Sequence, residues 1–427
     1  MNTYTIAKSG ASPAREHYIV TMCSLFVLLT PSLIEQIPHV QLTIQAATVA
    51  LFVLLVLRML NERATVSAGL VAFALFRLSF LPGTLATGGD IANWGYASVA
   101  QVSLFMLIDA SRRASSGGRL ALRCIADLLF AYLAINAIMV ATGTGVSRIW
   151  ANGYVETWYL LGIRTRVTDC LFVALAASAT IDALNGRRLG VRTFLVAVLG
   201  TAQVGALSVA TALIGLAVAL AGFILFRFAP VSQGLLSMRR ISLLGVIVSV
   251  VVVIFRGQAL IGTILEGVFD KDATLTGRTS LWDGALDIVM QRPWLGHGIN
   301  DIFGAFIPRG DVLWQAHNQY LQLAYDGGLI AVAAFVALLL VCAREFDALP
   351  GVPAKAPILA VYLAFAVMMA TEIYTYNMGL FFVLPFVACQ FDRLITRPAE
   401  AGPRLSMTRP VGRRLESRHA QRGAVRP

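Results

Sequence analysis

Charge is scarce in this chain. Of its 427 residues only 13% are Asp, Glu, Lys or Arg, while 57% are hydrophobic, and the mean hydropathy is +0.74. A soluble domain carries about twice that share of charge. The shortage excludes a soluble globular protein. The hydrophobic runs that recur along nearly the whole length predict an all-α polytopic membrane protein.

Cysteine is also rare, and its spacing follows no metal-binding or disulfide pattern. The chain has five cysteines, each isolated in or beside an apolar run, and it lacks CxxC pairs and the His/Cys spacings of zinc sites. We therefore expect no metal site, no disulfide framework and no cofactor.

The positive net charge of +11 does not predict a nucleic-acid partner, because the basic residues are not arranged as a binding surface. Nine arginines lie between Arg393 and Arg426, and most others fall in short loops between apolar runs. The tail 396–427 is rich in proline, glycine and arginine and is expected to be disordered. Its expected contact is anionic lipid; a dedicated protein partner is the alternative.

The apolar windows are long enough to predict about twelve transmembrane helices. The stretch 191–227 is taken as two spans rather than one bent element, because its 37 residues exceed a single crossing. The first window follows Lys8 and Arg15 without a small-residue cleavage site, so we expect it to be retained. The windows are 18–37, 41–60, 66–85, 91–110, 122–142, 167–184, 191–207, 209–227, 241–256, 328–343, 357–372 and 378–392.

The distribution of lysine and arginine supports this count. With a cytoplasmic N-terminus, the loops on the inner side and the tail hold 25 of the 34 basic residues, and every inner loop is basic. Inner loops of bacterial membrane proteins carry such a bias. We therefore predict a membrane domain over 1–395, with both termini cytoplasmic and a long outer loop over 257–327.

Two short helices are expected in the outer loop. Ser280-x-x-Asp283 matches a capping box, and Trp282, Leu286, Val289 and Met290 follow on one helical face. An amphipathic helix of this kind suits the membrane surface. Trp282 is therefore expected to pack on lipid; a platform for stacking a sugar is the alternative.

The second predicted helix lies in AHNQYLQLAYDGG, residues 316–328. Helical spacing puts His317 in its first turn, and Gly327 and Gly328 mark either its end or a bend into the next span. The positive end of a helix disfavours an imidazolium. His317 is therefore a candidate for accepting a proton, although a lone loop histidine more often has no catalytic role.

Arg77 falls in the middle of the third predicted span, where a charge is costly and suggests a function. Pairing with a carboxylate elsewhere, or snorkelling beside a helix broken at Pro82, is the alternative. The turn that contains Glu372, Tyr374, Tyr376 and Asn377 is a further candidate for the edge of a cavity on the outer side.

Three blocks of the outer loop together resemble a known family. They are GR followed by LW (Gly277 to Trp282), RPWLGHG (Arg292 to Gly298) and HNQYLQLAYDGGL (His317 to Leu329). Their order, late in a chain of many spans, is similar to the signature loop of the bacterial O-antigen ligase and O-antigen polymerase superfamily. The resemblance implies glycosyl transfer at the outer face of the inner membrane, without a metal.

In that family the donor is a glycan on undecaprenyl diphosphate. The acceptor is a sugar of lipid A-core in ligases and another lipid-linked repeat in polymerases. The resemblance thus implies these substrates and membrane lipid as partners, together with a flippase and a chain-length regulator. We expect a polymerase of O-antigen or exopolysaccharide, with a ligase as the alternative. A lipid-linked oligosaccharide transporter is less favoured, because only Arg77 is clearly deep in a span.

The chemistry assigns roles to the candidate residues. Arg164, Arg166 and Arg278 are expected to bind the diphosphate, whose developing charge arginine forks stabilise. His317 is expected to take the proton of the acceptor hydroxyl, with Asn318 and Arg77 as supporting residues. Asn318 is equally read as a helix cap. The alternatives are snorkelling to the interface for Arg164 and Arg166, and a loop-fixing salt bridge for Arg278.

One position departs from the family. Many members carry a basic residue after the serine between the seventh and eighth spans, whereas Ser208 has no basic neighbour here. One anion-binding contribution is therefore in doubt.

Overall fold

The computed structural model describes ten segments of the chain. They are 13–111, 119–149, 155–229, 232–256, 278–299, 305–306, 312–313, 315–349, 351–376 and 379–395. The tail 396–427, the first part of the outer loop (257–277) and Asn377, which the sequence interpretation includes, lie outside the described residues.

Helices dominate the described segments, in agreement with the predicted all-α class. Their bounds are α1 Pro13–Leu28, α2 Ser32–Glu35, α3 Pro38–Asn61, α4 Ala68–Leu78, α5 Leu81–Thr87, α6 Ile91–Ser111, α7 Arg119–Thr142, α8 Val167–Leu184, α9 Val191–Ala206, α10 Ala210–Phe228, α11 Ser232–Leu235, α12 Met238–Val253, α13 Arg278–Gln291, α14 Gln319–Ala348, α15 Ala356–Met368, α16 Val383–Ala388 and α17 Phe391–Ile395. Short 3₁₀ turns cover Arg164–Arg166, Pro353–Lys355 and Leu380–Phe382.

Two small antiparallel hairpins interrupt the helical pattern in the segments predicted to be outside. β1 (Val146–Ile149) pairs with β2 (Val155–Trp158), and β3 (Ala305–Phe306) pairs with β4 (Val312–Leu313). In the first hairpin the guanidinium of Arg148 stacks over the ring of Trp158, 4.7 Å from its centroid.

Seven of the described helical segments are long and apolar enough to cross a membrane, so the chain is a mostly helical polytopic membrane protein. The predicted number of twelve spans stays a prediction. The qualifying segments are Pro38–Asn61, Ala68–Thr87, Ile91–Ala110, Arg119–Thr142, Arg164–Leu184, Ala210–Phe228 and Gln319–Ala348. The stretch 191–227 forms two separate helices, α9 and α10, as predicted, with Ser208 at a positive φ of 53° between them.

Loops predicted to share a side of the membrane contact one another. On the predicted inner side, Arg119 Nε donates to the carbonyl of Leu394 at 2.9 Å, and Arg239 Nε bonds Asp347 at 3.1 Å. On the predicted outer side, the amide of Asp90 donates to the carbonyl of Ile299 at 2.8 Å. This grouping agrees with the alternation of sides that the basic loops predict.

Aromatic rings and small residues make the core. The ring of Phe73 lies 5.0 Å from those of Phe382 and Phe386, measured between centroids. Between α10 and α15 the backbones approach closely, because a Cβ on Gly222 would lie only 3.2 Å from the Cα of Ala360. Small residues permit such contacts between membrane helices, and this packing anchors the elements that carry the site.

The RPWLGHG segment fits into a bend of α14. Gly328 has φ 67° and ψ −172°, which breaks the helix, so the predicted glycine pair marks a bend. The amide of Leu329 donates to the carbonyl of Pro293, and the amide of His297 to that of Tyr325, at 2.8 and 2.7 Å. The first turns of α14, which carry the site, are thereby fixed against the outer loop.

Candidate functional site

Helix α13 holds the outer loop on the protein rather than on lipid. It begins at Arg278 and buries Trp282, which is 1% exposed and donates its indole N–H to the carbonyl of Ala316 at 3.0 Å. The prediction that Trp282 packs on lipid is therefore wrong. Met290 was expected on the same face but is 71% exposed, because the buried stripe runs through Leu281 and Ala285 instead.

Asn318 caps α14, as one interpretation of the sequence predicted. Its carboxamide oxygen accepts from the amide of Leu321 at 2.9 Å, and its Nδ2 donates to the carbonyl of Ala370 at 2.9 Å and to Ser249 Oγ at 2.6 Å. The side chain is fully buried. Its contacts are structural and leave no group of Asn318 directed at a substrate.

His317 lies just before the cap and not in the first turn, so that detail of the prediction is wrong. Its backbone is left-handed, with φ 48°, an unusual conformation for a residue other than glycine. Its neighbours impose this geometry, because Asn318 is held by its own cap and the amide of Ala316 donates to Gln322 Oε1 at 2.8 Å. The side chain of His317 is 25% exposed.

Gln319 fastens the turn after α15 to the start of α14. Its backbone amide donates to the carbonyl of Met369 at 2.9 Å, and its Oε1 accepts from the amides of Tyr374 and Thr375 at 2.8 and 3.2 Å. Its Nε2 donates to Thr375 Oγ1 at 2.7 Å. These bonds bring the turn 369–376 alongside His317.

Glu372, on that turn, bridges two of the predicted site residues. Its Oε1 accepts from Arg278 Nη2 at 2.8 Å, and its Oε2 lies 3.5 Å from His317 Nδ1. Arg278 Nη1 also donates to the carbonyl of Thr371 at 2.9 Å. Arg278 and His317 therefore share one site, which the sequence alone does not establish.

The charge of Glu372 follows from these neighbours. Burial raises the pKa of Glu372. The hydrogen bond with His317 and the charges of Arg278 and Arg166 lower it by a larger amount, so the pKa lies below its usual value. The carboxylate is ionised at neutral pH. It is 8% exposed, and it acts within the cluster rather than on its surface.

Arg166 belongs to the same cluster, whereas Arg164 lies at its exposed edge. Arg166 Nη1 is 3.9 Å from Asp169 Oδ2, and its charge also acts on Glu372. Arg164 shares the 3₁₀ turn with Arg166, but its side chain is exposed. The cluster thus combines two fixed arginines, one imidazole and two carboxylates, and the exposed Arg164 is two residues before Arg166 on the same turn.

Arg77 is not brought to this cluster. Its Nε donates to Ser98 Oγ at 3.0 Å, its guanidinium carbon lies 5.4 Å from the centre of the Phe80 ring, and its charge interacts with that of Asp326. Asp326 lies two turns along α14 from Gln319, about 10 Å away along the helix axis. The arrangement agrees with the alternative of pairing with a carboxylate.

Sequence reasoning missed Asp169 and placed Glu372 only at the edge of a cavity. Asp169 follows Arg166 by three residues at the start of α8, a spacing that pairs side chains on one helical face. That signal was present and could have identified the pair. Within the described segments, no group of three His, Cys, Asp or Glu side chains could hold a metal ion.

Comparison with known proteins gives two matches. Residues 193–336 match the family model described as O-Antigen ligase. A Pseudomonas aeruginosa (strain PAO1) protein described as "O-antigen ligase" is 33% identical over 82 residues, which cover 19% of this chain and 20% of that protein. The aligned region thus spans about a fifth of that relative's length. The resemblance to the O-antigen ligase and polymerase family is confirmed.

Proposed function

Because residues 193–336 match the family model described as O-Antigen ligase, we propose that this membrane protein is a glycosyltransferase. It moves a glycan from undecaprenyl diphosphate to an acceptor hydroxyl at the outer face of the bacterial inner membrane, with both termini in the cytoplasm. The observation that carries the proposal is the cluster of Arg166, Arg278 and His317 around Glu372. It joins fixed cations to a proton acceptor.

The arginines suit a diphosphate leaving group. As the bond between the anomeric carbon and the diphosphate breaks, negative charge develops on the phosphate oxygens, and preorganised cations stabilise it. Arg278 is held in place by Thr371 and Glu372 through one N–H on each terminal nitrogen. A guanidinium has five N–H donors, so these two bonds to described residues leave donors that we assign to phosphate. Arg166 adds a second fixed cation, and we assign the exposed Arg164 to the same headgroup.

His317 suits the acceptor. Its Nδ1 lies 3.5 Å from Glu372 Oε2 and 3.3 Å from Gln315 Nε2, so Nε2 is the ring nitrogen left to meet the acceptor hydroxyl. Nε2 takes the hydroxyl proton while the acceptor oxygen bonds to the anomeric carbon and the diphosphate leaves with the electron pair of the broken bond. The step needs no oxidant, reductant or metal.

The identity of the acceptor determines whether the enzyme is a ligase or a polymerase. Both matches are to proteins described as O-antigen ligases, which favours lipid A-core, whereas the sequence interpretation favours a second lipid-linked repeat. The same cluster serves either, since both acceptors attack through a sugar hydroxyl. A flippase that supplies the donor is implied in both cases, and a chain-length regulator in the second.

The test is complementation of a deletion strain of the source bacterium with the wild-type gene, His317→Ala and His39→Ala. His39 is exposed on α3, outside the cluster, and serves as the matched control. We expect His39→Ala to restore long-chain glycan and His317→Ala to abolish it, read on a polysaccharide gel with analysis of lipid A-core.

The length of the glycan that remains on the lipid carrier in the deletion strain distinguishes a ligase from a polymerase. Long chains left on the carrier indicate a ligase, and single repeats left on the carrier indicate a polymerase. Undiminished long-chain glycan with His317→Ala contradicts the proposed catalytic role.

A further inference from the structure

Glu372 stands between the proton acceptor and a diphosphate-binding cation of the proposed site. One carboxylate oxygen is 2.8 Å from Arg278 Nη2 and the other is 3.5 Å from His317 Nδ1. Arg278 begins α13, and His317 precedes α14. A single carboxylate therefore sets the relative position of side chains that come from two different elements.

The backbone around Glu372 is itself held in place. Asn318 Nδ2 donates to the carbonyl of Ala370 on one side, and Gln319 Oε1 accepts from the amide of Tyr374 on the other, at 2.9 and 2.8 Å. Both Asn318 and Gln319 are fully buried. Such support from buried hydrogen bonds keeps a functional side chain in one geometry.

We propose that Glu372 is a positioning residue of the proposed transferase site. It keeps the proton on Nδ1 of His317, so that Nε2 presents its lone pair to the acceptor hydroxyl, and it fixes Arg278 at the matching distance for the diphosphate. The inference rests on the proposed function. A carboxylate in this place selects the tautomer of a histidine and stabilises the imidazolium that forms when the ring takes a proton.

The charges around Glu372 are compatible with this role. Arg278 faces it from α13, Arg166 and Asp169 from the start of α8, and Tyr374 from its own turn. The hydrogen bond with His317 and the charges of the two arginines outweigh burial and keep the carboxylate ionised, as the lowered pKa of Glu372 indicates. The Gln315 carboxamide also lies at Nδ1, with its Nε2 3.3 Å away. An ionised carboxylate accepts from Nδ1–H more strongly than a neutral amide does, so Glu372 is the partner that holds the proton on this nitrogen.

The test compares wild type and Glu372→Gln, purified in lipid nanodiscs. The probes are the lipid-linked glycan and the lipid A-core extracted from the deletion strain, with kcat and KM measured across pH. We expect Glu372→Gln to lower kcat about 10- to 100-fold, while KM for the donor changes less than about threefold. The acidic limb of the pH–rate profile should move to lower pH, because the neutral amide does not stabilise the imidazolium.

Asp283→Asn is the matched control. Asp283 lies on α13 and is half exposed in an ion pair with Arg256, so the same chemical change there should alter neither kcat nor the acidic limb. An unmoved acidic limb in Glu372→Gln overturns the inference whether or not kcat falls, because loss of a merely structural carboxylate would not move the limb.

Glu372→Asp provides a second variant if Glu372→Gln does not fold. It keeps the charge but shortens the side chain, so we expect a reduced kcat with the acidic limb at its wild-type pH. Full wild-type kcat, or a displaced limb, in Glu372→Asp overturns the inference. A wild-type protein that transfers no glycan overturns the proposed function as well, whereas an active wild type with an unimpaired Glu372→Gln overturns this inference alone.

Discussion

Arg278 shows how the character of a single residue matters at this site. Its guanidinium contacts the Thr371 carbonyl with one terminal nitrogen and the Glu372 carboxylate with the other. The planar fork thereby meets two acceptors on one turn. A lysine has the same charge but no fork, so it cannot make both contacts and still face a phosphate.

Replacing Arg278 with lysine should therefore impair transfer. We expect Arg278→Lys to lower kcat/KM by at least about tenfold, because the cation no longer sits at a fixed place beside the leaving group. Transfer of the lipid-linked glycan in nanodiscs measures the effect. Arg256→Lys is the matched control, since Arg256 forms a half-exposed ion pair with Asp283. An equal loss of kcat/KM in both variants would show that the position of Arg278 is unimportant.

The resemblance to the ligase and polymerase family predicted much of this cluster, but not how its residues contact one another. A histidine at the start of a helix and arginines at the mouths of spans are unusual in so apolar a chain, and Arg166, Arg278 and His317 indeed lie together. Glu372 was harder to place, because a carboxylate on a short turn is also common as a solvated loop residue. Only its contacts with Arg278 and His317 show its position at the centre.

At the scale of elements, the bend in α14 decides where the site lies. Gly328 adopts φ 67° and ψ −172°, a combination essentially confined to glycine. A Cβ there would lie 2.1 Å from the carbonyl oxygen of Trp294. The bend therefore requires both the glycine and the RPWLGHG segment packed against it.

Gly328→Ala should disrupt this bend. The backbone strain and the clash with Trp294 are expected to lower the melting temperature by at least about 5 °C, with a parallel loss of transfer because His317 precedes the displaced helix. Gly95→Ala is the control, since nothing lies within 4 Å of the added Cβ on α6 and alanine favours a helix. A Gly328→Ala protein that melts with the wild type would contradict the account of the bend.

Amphipathic spacing predicted α13 but misjudged what its apolar face contacts. The pattern of Trp282 and Val289 predicts a helix with one buried side, and that part is confirmed. Periodicity does not distinguish a face that packs on lipid from one that packs on protein. In the structure Trp282 is buried against Ala316 and bonds its carbonyl, while the exposed Trp294, at 65%, lies beyond the helix end.

At the scale of the whole molecule, the sequence predicts the membrane class well, because hydrophobic length is a local property, while the alternation of sides stays a prediction from the basic loops. It does not predict which outer segments meet. The site is assembled from the start of α8, the start of α13, the residue before α14 and the turn after α15. Contacts between segments so far apart in the chain depend on helix packing, which a single sequence does not encode in any local pattern.

The central claim is that these distant segments form one reactive site, and a double-mutant cycle of His317→Ala with Arg278→Lys tests it most directly. Glycan transfer by wild type, both single variants and the double variant gives kcat/KM for each. Residues that act as a unit have strongly non-additive effects. We therefore expect kcat/KM of the double variant to be only slightly lower than that of the less active single variant. Losses that multiply would contradict the account, because they would show that His317 and Arg278 act independently.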